Sequence, residues 1–186
     1  MSTLPNSPYH HGNLRQALLE AALVILEKDG EAGLGLRDLA RAVGVSSAAP
    51  YRHFDSRAAL LEALAVTGFQ RFAARMQAVA ASEPGDPMAA MGKTYVVFAL
   101  QNPNLFRLMF SPLLKKDARP GLRMAADAAF DTLRHVIGTD PQTGRIRALA
   151  AWAKVHGLAV LLLDGQIAIR AGEDSEALVA EIINSL

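Results

Sequence analysis

Cysteine is absent from the 186 residues, which excludes disulfide scaffolds, thiolate metal sites and cysteine nucleophiles. Such a chain suits the reducing cytoplasm. Aromatic residues are scarce at 6%, so each large ring counts as a candidate for core or site. Charge of one sign is missing as well: the net charge is +1, too little for a whole-molecule field that would draw in nucleic acid. Residues 1–60 are balanced, with six cations (15, 28, 37, 41, 52, 57) against six anions (20, 27, 29, 31, 38, 55). Any affinity for phosphate has to come from local clustering. No basic stretch precedes an apolar run near Met1, so no signal peptide is expected. The most apolar stretch, Leu149 to Leu163, contains Lys154, His156 and Gly157 and is expected to fall short of a membrane span. No strand signal rises above the helical one. With 51% hydrophobic and 20% charged residues, the chain can bury a core, and it reads as all-α.

The most informative stretch runs from Gly35 to Arg57. Leu36, Leu39, Ala40 and Val43 recur at helical spacing, and Gly44 ends that helix because glycine enters a positive-φ turn without steric cost. Val45 is placed to plug the gap before a second short helix, about Ser47 to His53 and some two turns long, capped by Ser46 or Ser47. Pro50 falls in its first turn, where a missing N–H has no intrahelical partner anyway. Two short helices joined by a glycine turn make a helix-turn-helix, whose second helix enters the DNA major groove.

The other elements follow from periodicity and breakers. A mobile arm, Met1 to Pro8, precedes a first helix capped by Asn13 and ended by Gly30 and Gly33. A long fourth helix, capped by Ser56 or Asp55, runs from Arg57 to about Ala81. Five more are expected near 88–101, 104–110, 122–137, 145–163 and from Ser175 to the end, about nine in all. The domain boundary is placed at 56/57. The paired His10 and His11 lack a third ligand at a supporting spacing, so no metal or other cofactor is expected.

The run LRDLARAVGVSSAAPYRHFDSRAALLEAL resembles the DNA-binding signature of the tetracycline-repressor (TetR) family of transcriptional regulators. Leu39-Ala40, Gly44-Val45, Ser46, Tyr51, His53-Phe54, Arg57 and Leu60 carry the likeness, which spans roughly His11 to Leu64. Gly35 departs from the hydroxyl residue usual in the family at the start of the second helix. The resemblance implies that Tyr51 and His53 bond phosphates, that Arg57 anchors one, and that Phe54 packs the head. It also brings Tyr9, His10, His11 and Arg15 towards the DNA backbone. From the residues themselves, Ser46 and Ser47 can donate to phosphate or base, and Ala48, Ala49 and Pro50 offer apolar contact to thymine methyls. Arg52 is the candidate base reader, while Arg37 and Arg41 are open between phosphate contact and solvation. With no Arg, Asn or Gln on the first turn, DNA shape is expected to carry part of the specificity.

Beyond residue 56 lie the apolar residues from which helical sensor domains build ligand cavities. The candidates are Phe72 and Met76, Tyr95 and Phe98, Phe106, Met109 and Phe110, Met124, and Trp152 with His156. Each is open between core and ligand contact. The W-x-x-x-H-G run at Trp152, His156 and Gly157 resembles the signature of a TetR-associated C-terminal domain often called the WHG domain. The last two helices are apolar for terminal elements. By resemblance they pair across a two-fold axis, which implies a homodimer on a palindromic operator; the alternative is burial within the chain. The expectation is a cytoplasmic, ligand-responsive repressor that binds double-stranded DNA as a homodimer and is released by a small hydrophobic effector. It is no enzyme and has no membrane partner. A helical adaptor with a vestigial head, or an activator of the same fold, are the alternatives.

Overall fold

The structure, a computed structural model, describes residues 14–82, 85–114, 119–138, 140, 143–170 and 172–185. Tyr9, His10, His11 and the expected cap Asn13 lie outside them. The described residues form eight α-helices and no strand. The fold is all-α, as the periodicity predicts.

The chain divides into two compact units between Leu64 and Ala65, inside a helix rather than at its start. In the first unit α1 (Leu14–Asp29) packs on α2 (Leu36–Val43). Leu18, Ala22 and Leu26 of α1, Leu36 and Leu39 of α2, and Phe54, Leu60 and Leu64 are buried together in this head. Phe54 is 2% exposed, and the guanidinium of Arg15 lies 5.4 Å over its ring. A cation over an aromatic face adds ~0.5–1 kcal/mol to the burial. Arg15, expected at the DNA backbone, thus also roofs the core.

The turn after α2 follows the glycine logic. Gly44 adopts φ 76°, its N–H donates to Arg41 O (3.2 Å), and the Val45 N–H donates to Ala40 O (2.9 Å). These paired bonds satisfy two of the orphan carbonyls of α2. The second helix of the motif is shorter than predicted. Instead of two α-turns from Ser47, there is a turn and a single 3₁₀ stretch, Pro50–Arg52. Pro50 is the reason: it has no N–H to give to Ser46 O, which takes the Ala49 N–H instead at 2.9 Å. The 3₁₀ pattern continues with Arg52 N–H to Ala49 O (3.2 Å) and His53 N–H to Pro50 O (3.0 Å). This loss accounts for eight helices against the expected nine.

The helix α3 (Arg57–Ser82) begins in the first unit and ends in the second. Ser56 caps it, its Oγ accepting the Ala59 N–H at 3.2 Å. In the second unit α4 (Pro87–Gln101) is central and packs on α5 (Pro103–Met109), α6 (Pro120–Ile137), α7 (Gly144–Leu163) and α8 (Ser175–Asn184). Asp86 caps α4, accepting the Met88 and Ala89 N–H groups at 3.0 Å each. Asp174, rather than the expected Ser175, caps α8. Arg107 of α5 donates to Leu163 O (3.0 Å) and pairs with Asp164 (2.7 Å), a cation set at the carbonyl end of α7. Gly92 is where α4 comes closest to its neighbours. A Cβ there would stand 3.2 Å from Ile183 Cγ2 of α8 and 3.5 Å from Val155 Cγ1 of α7. By length and composition α7 is apolar enough to cross a membrane, contrary to the sequence expectation, since six apolar residues follow Gly157. Here it is a bundle helix on α4 and α6.

Candidate nucleic-acid interface and cavity

In the head, the short turn-and-3₁₀ element presents Ser46, Ser47, Ala48, Tyr51, Arg52 and His53 to solvent. Tyr51 is 46% exposed, a large apolar ring at the surface beside two basic residues. Ala49 is half-buried, and Pro50 is buried. Proline therefore belongs to the packing of the head, and the apolar base contact expected of it is not available at the surface. Arg37 is exposed on α2. Arg41 pairs with Asp38 one turn away, both largely exposed, so the pair adds little to stability while halving the free charge of that face.

Arg57 is differently placed from the expectation of a simple phosphate anchor. Its Nε donates to Leu34 O at 2.9 Å and its Nη2 donates to Glu31 O. It thereby ties the start of α3 to the turn that follows α1. A guanidinium carries five N–H donors, so the tether leaves part of the fork for other partners.

The second unit contains a cavity of about 230 Å³ between α3, α4, α6 and α7. Of the residues singled out in the sequence, Phe72, Met76, Tyr95, Phe110 and Trp152 line it. Phe98, Phe106 and Met109 are buried behind that wall instead. Met124 is 71% exposed and stands away from the cavity. At roughly 100° per residue, Met124 falls on the opposite side of α6 from the lining residues Ala126, Phe130 and Leu133. Among the lining residues outside the sequence candidates, Met88 and Met91 precede Tyr95 at helical spacing on one face of α4. Counting back from Tyr95 by three and four would have found them.

Two helices, α4 and α7, meet at the phenol of Tyr95. The Trp152 indole N–H donates to Tyr95 Oη at 3.0 Å, and His156 Nδ1 lies 2.8 Å from the same oxygen. A neutral imidazole protonated at Nε2 accepts the phenol proton there. Burial pushes the Tyr95 phenol well above its ordinary range, with the indole bond pulling partly back. The phenol therefore stays neutral. His156 sits behind this wall among rings, 4.6 Å from the centre of Phe110 and 5.5 Å from that of Phe106. The tryptophan and the histidine of the W-x-x-x-H-G run thus act on one oxygen of another helix.

A helix-turn-helix head with an exposed aromatic and basic edge, followed by an all-helical second unit, is the architecture of a bacterial DNA-binding regulator. Residues 18–64 match the family described as bacterial regulatory proteins, tetR family, and residues 88–186 match the tetracyclin repressor-like C-terminal domain. The chain belongs to the TetR family, and its head is that family's DNA-binding domain. It is similar to a protein of unknown function from Rhodococcus sp. RHA1, with 36% identity, TM-score 0.80, and 97% of this chain and 96% of that one covered. Nucleoid occlusion factor SlmA of Marinobacter nauticus is 29% identical over 72% of this chain and 69% of its own length. At 16% identity and TM-score 0.67, the fold is also that of AibR, solved in complex with isovaleryl coenzyme A and operator DNA, with coverage of 92% and 96%.

Proposed function

We propose that the chain is a cytoplasmic, ligand-responsive transcriptional repressor that binds a palindromic operator as a homodimer. The observation that carries the reading is the pairing of an exposed Tyr51–Arg52–His53 edge in the head with the apolar cavity around Tyr95 in the second unit. In this reading Tyr51 and His53 bond phosphates, with Arg37 and the free part of the Arg57 fork adding to them. Ser46, Ser47, Ala48 and Arg52 meet base edges. The effector occupies the cavity, bounded by Phe72, Met76, Phe110 and Trp152, and the Tyr95 oxygen has one lone pair left to accept a hydrogen bond from it. We read the C-terminal unit as the WHG type, in which Trp152 and His156 serve to orient that phenol. AibR, bound both to an acyl-coenzyme A and to operator DNA, gives a precedent in the same fold for one chain holding both partners.

Release of DNA requires that the effector bind one conformer better than the other; affinity alone shifts nothing. Helix α3 is the physical candidate for the coupling. It starts at Arg57 in the head and carries Phe72 and Met76 into the cavity wall. The test is fluorescence anisotropy on a site selected from random DNA, against scrambled competitor and across a salt series. A specific, competitor-resistant complex with a steep salt slope supports the reading, and binding no tighter than to scrambled DNA overturns it. SlmA, named as a nucleoid occlusion factor, favours a second reading: a DNA-bound role other than transcription. Operator affinity that no cavity ligand alters would favour that one.

A further inference from the structure

We propose that His156 sets the polarity of the effector. By taking the proton of Tyr95 it leaves the cavity with hydrogen-bond acceptors alone, so the molecule that fits is a neutral ring compound bearing a hydroxyl, a phenol or an aromatic alcohol. The proposal rests on the reading of the cavity as an effector site and adds the class of molecule that the site selects. Trp152 gives its one side-chain N–H to Tyr95 Oη at 3.0 Å. His156 Nδ1 lies 2.8 Å from the same oxygen. Were Nδ1 the donor, the phenol O–H would be left without an acceptor among rings, and an apolar site penalises such an orphan. The phenol therefore donates to Nδ1, and one lone pair remains on Oη.

Among the described lining residues no other side-chain donor is present. The remaining walls are phenylalanine rings, methionines and aliphatic side chains, together with Asp127. Asp127 is exposed and pairs with Arg123 at 3.7 Å, and a carboxylate only accepts. A ketone entering the cavity would bury its oxygen unpaired, and a carboxylate would do so with a charge as well. A hydroxyl leaves water too, but regains a bond at Oη. The rings of Phe110 and Phe130 lie 6.2 Å and 5.8 Å from that of Trp152, a wall suited to a flat partner. An apolar cavity of ~150 Å³ holds benzene, and this one, at about 230 Å³, has room for a larger ring system.

The test is titration calorimetry on the full chain near neutral pH with three probes of one ring system. These are 2-naphthol, which donates, 2-acetonaphthone, which only accepts, and anionic 2-naphthoate. It is run on the parent, on His156→Leu and on His156→Asn, whose amide oxygen stands in for Nδ1, with helix content checked by circular dichroism. The parent should bind 2-naphthol at least ten-fold tighter than the ketone, with the naphthoate weakest. In His156→Leu the phenol O–H is released to a ligand, so the ketone should gain at least ten-fold on the naphthol. His156→Asn should keep the parent's order. Equal or tighter binding of the ketone or the naphthoate by the parent, or an undiminished preference in His156→Leu, overturns the proposal and leaves the effector-cavity reading standing. Loss of the preference in both variants overturns it too, because it would tie the effect to the shape of the imidazole. Failure of all three probes to bind the parent overturns both readings.

Discussion

Arg57 and Tyr95 show how single side chains set the two sites. Arg57 spends two donors on Leu34 O and Glu31 O, so its first task is to fix the head. Arg57→Ala should cost about 1–2 kcal/mol, the range for charged donors to carbonyls at a partly exposed site. Arg52, exposed and free of any such tether, should behave oppositely. Arg52→Ala should leave the melting temperature unchanged and weaken operator binding, so parallel calorimetry and anisotropy on the two variants separate tether from reader. Tyr95 makes a pH prediction whose sign is fixed by its burial. A phenol gains charge by losing its proton, near pH ~10 in an unfolded chain, but only well above that in the folded one. Its contribution to stability is therefore whole below about pH 10 and is lost as pH rises towards the folded value. Urea midpoints at pH 8 and pH 10.5 should fall more for the parent than for Tyr95→Phe. At pH 8 the variant should be less stable by about 1 kcal/mol, the worth of a lost hydrogen bond.

At the scale of elements, most helices were legible because their ends carry their own signals. Asn102-Pro103 stops α4 and starts α5, Ser56 caps α3, and Gly44 closes α2. The second helix of the motif was not, although Pro50 was visible. A proline in a first turn is compatible with helix, and the pattern alone does not say that Ser46 O will take the Ala49 N–H and leave a single 3₁₀ turn. The cavity was half legible. Aromatic composition pointed to the right helices, but which face of each helix turns inward depends on packing. Met124, open in the sequence between core and ligand contact, is exposed on α6, whereas Met88 and Met91 on α4 line the cavity. Gly92 carries a signal of the same kind that only packing explains. Gly92→Val should overpack the contact with Ile183 and Val155, at a cost of about 1–3 kcal/mol. Faster limited proteolysis at the α8 end than elsewhere in the second unit should mark the loosened helix. Uniform protection would mean that α8 yields without undocking.

At the scale of the whole molecule, the surface of α7 carries the argument for a homodimer. Ile146, Ala150, Ala153, Gly157 and Leu161 recur at three and four residues and form one stripe along the helix. Ile146 is 61% and Leu161 44% exposed, and a Cβ on Gly157 would meet nothing within 4 Å. The chain buries the other side of α7 against α4 and α6 and leaves this side uncovered. A surface of this kind, small in the middle and apolar at both ends, suits close approach of a second copy across a two-fold axis. The double substitution Ile146→Glu/Leu161→Glu places four carboxylates around that axis in a dimer and none against another in a monomer. Sedimentation should show the parent as a dimer and the variant as a monomer of unchanged helix content. Two heads on one axis need half-sites one helical turn, ~34–36 Å, or a multiple apart. The parent should therefore bind the full palindrome at least 100-fold tighter than a half-site, and the variant should bind both alike. If the variant stays dimeric and keeps the palindrome preference, the copies associate through another face.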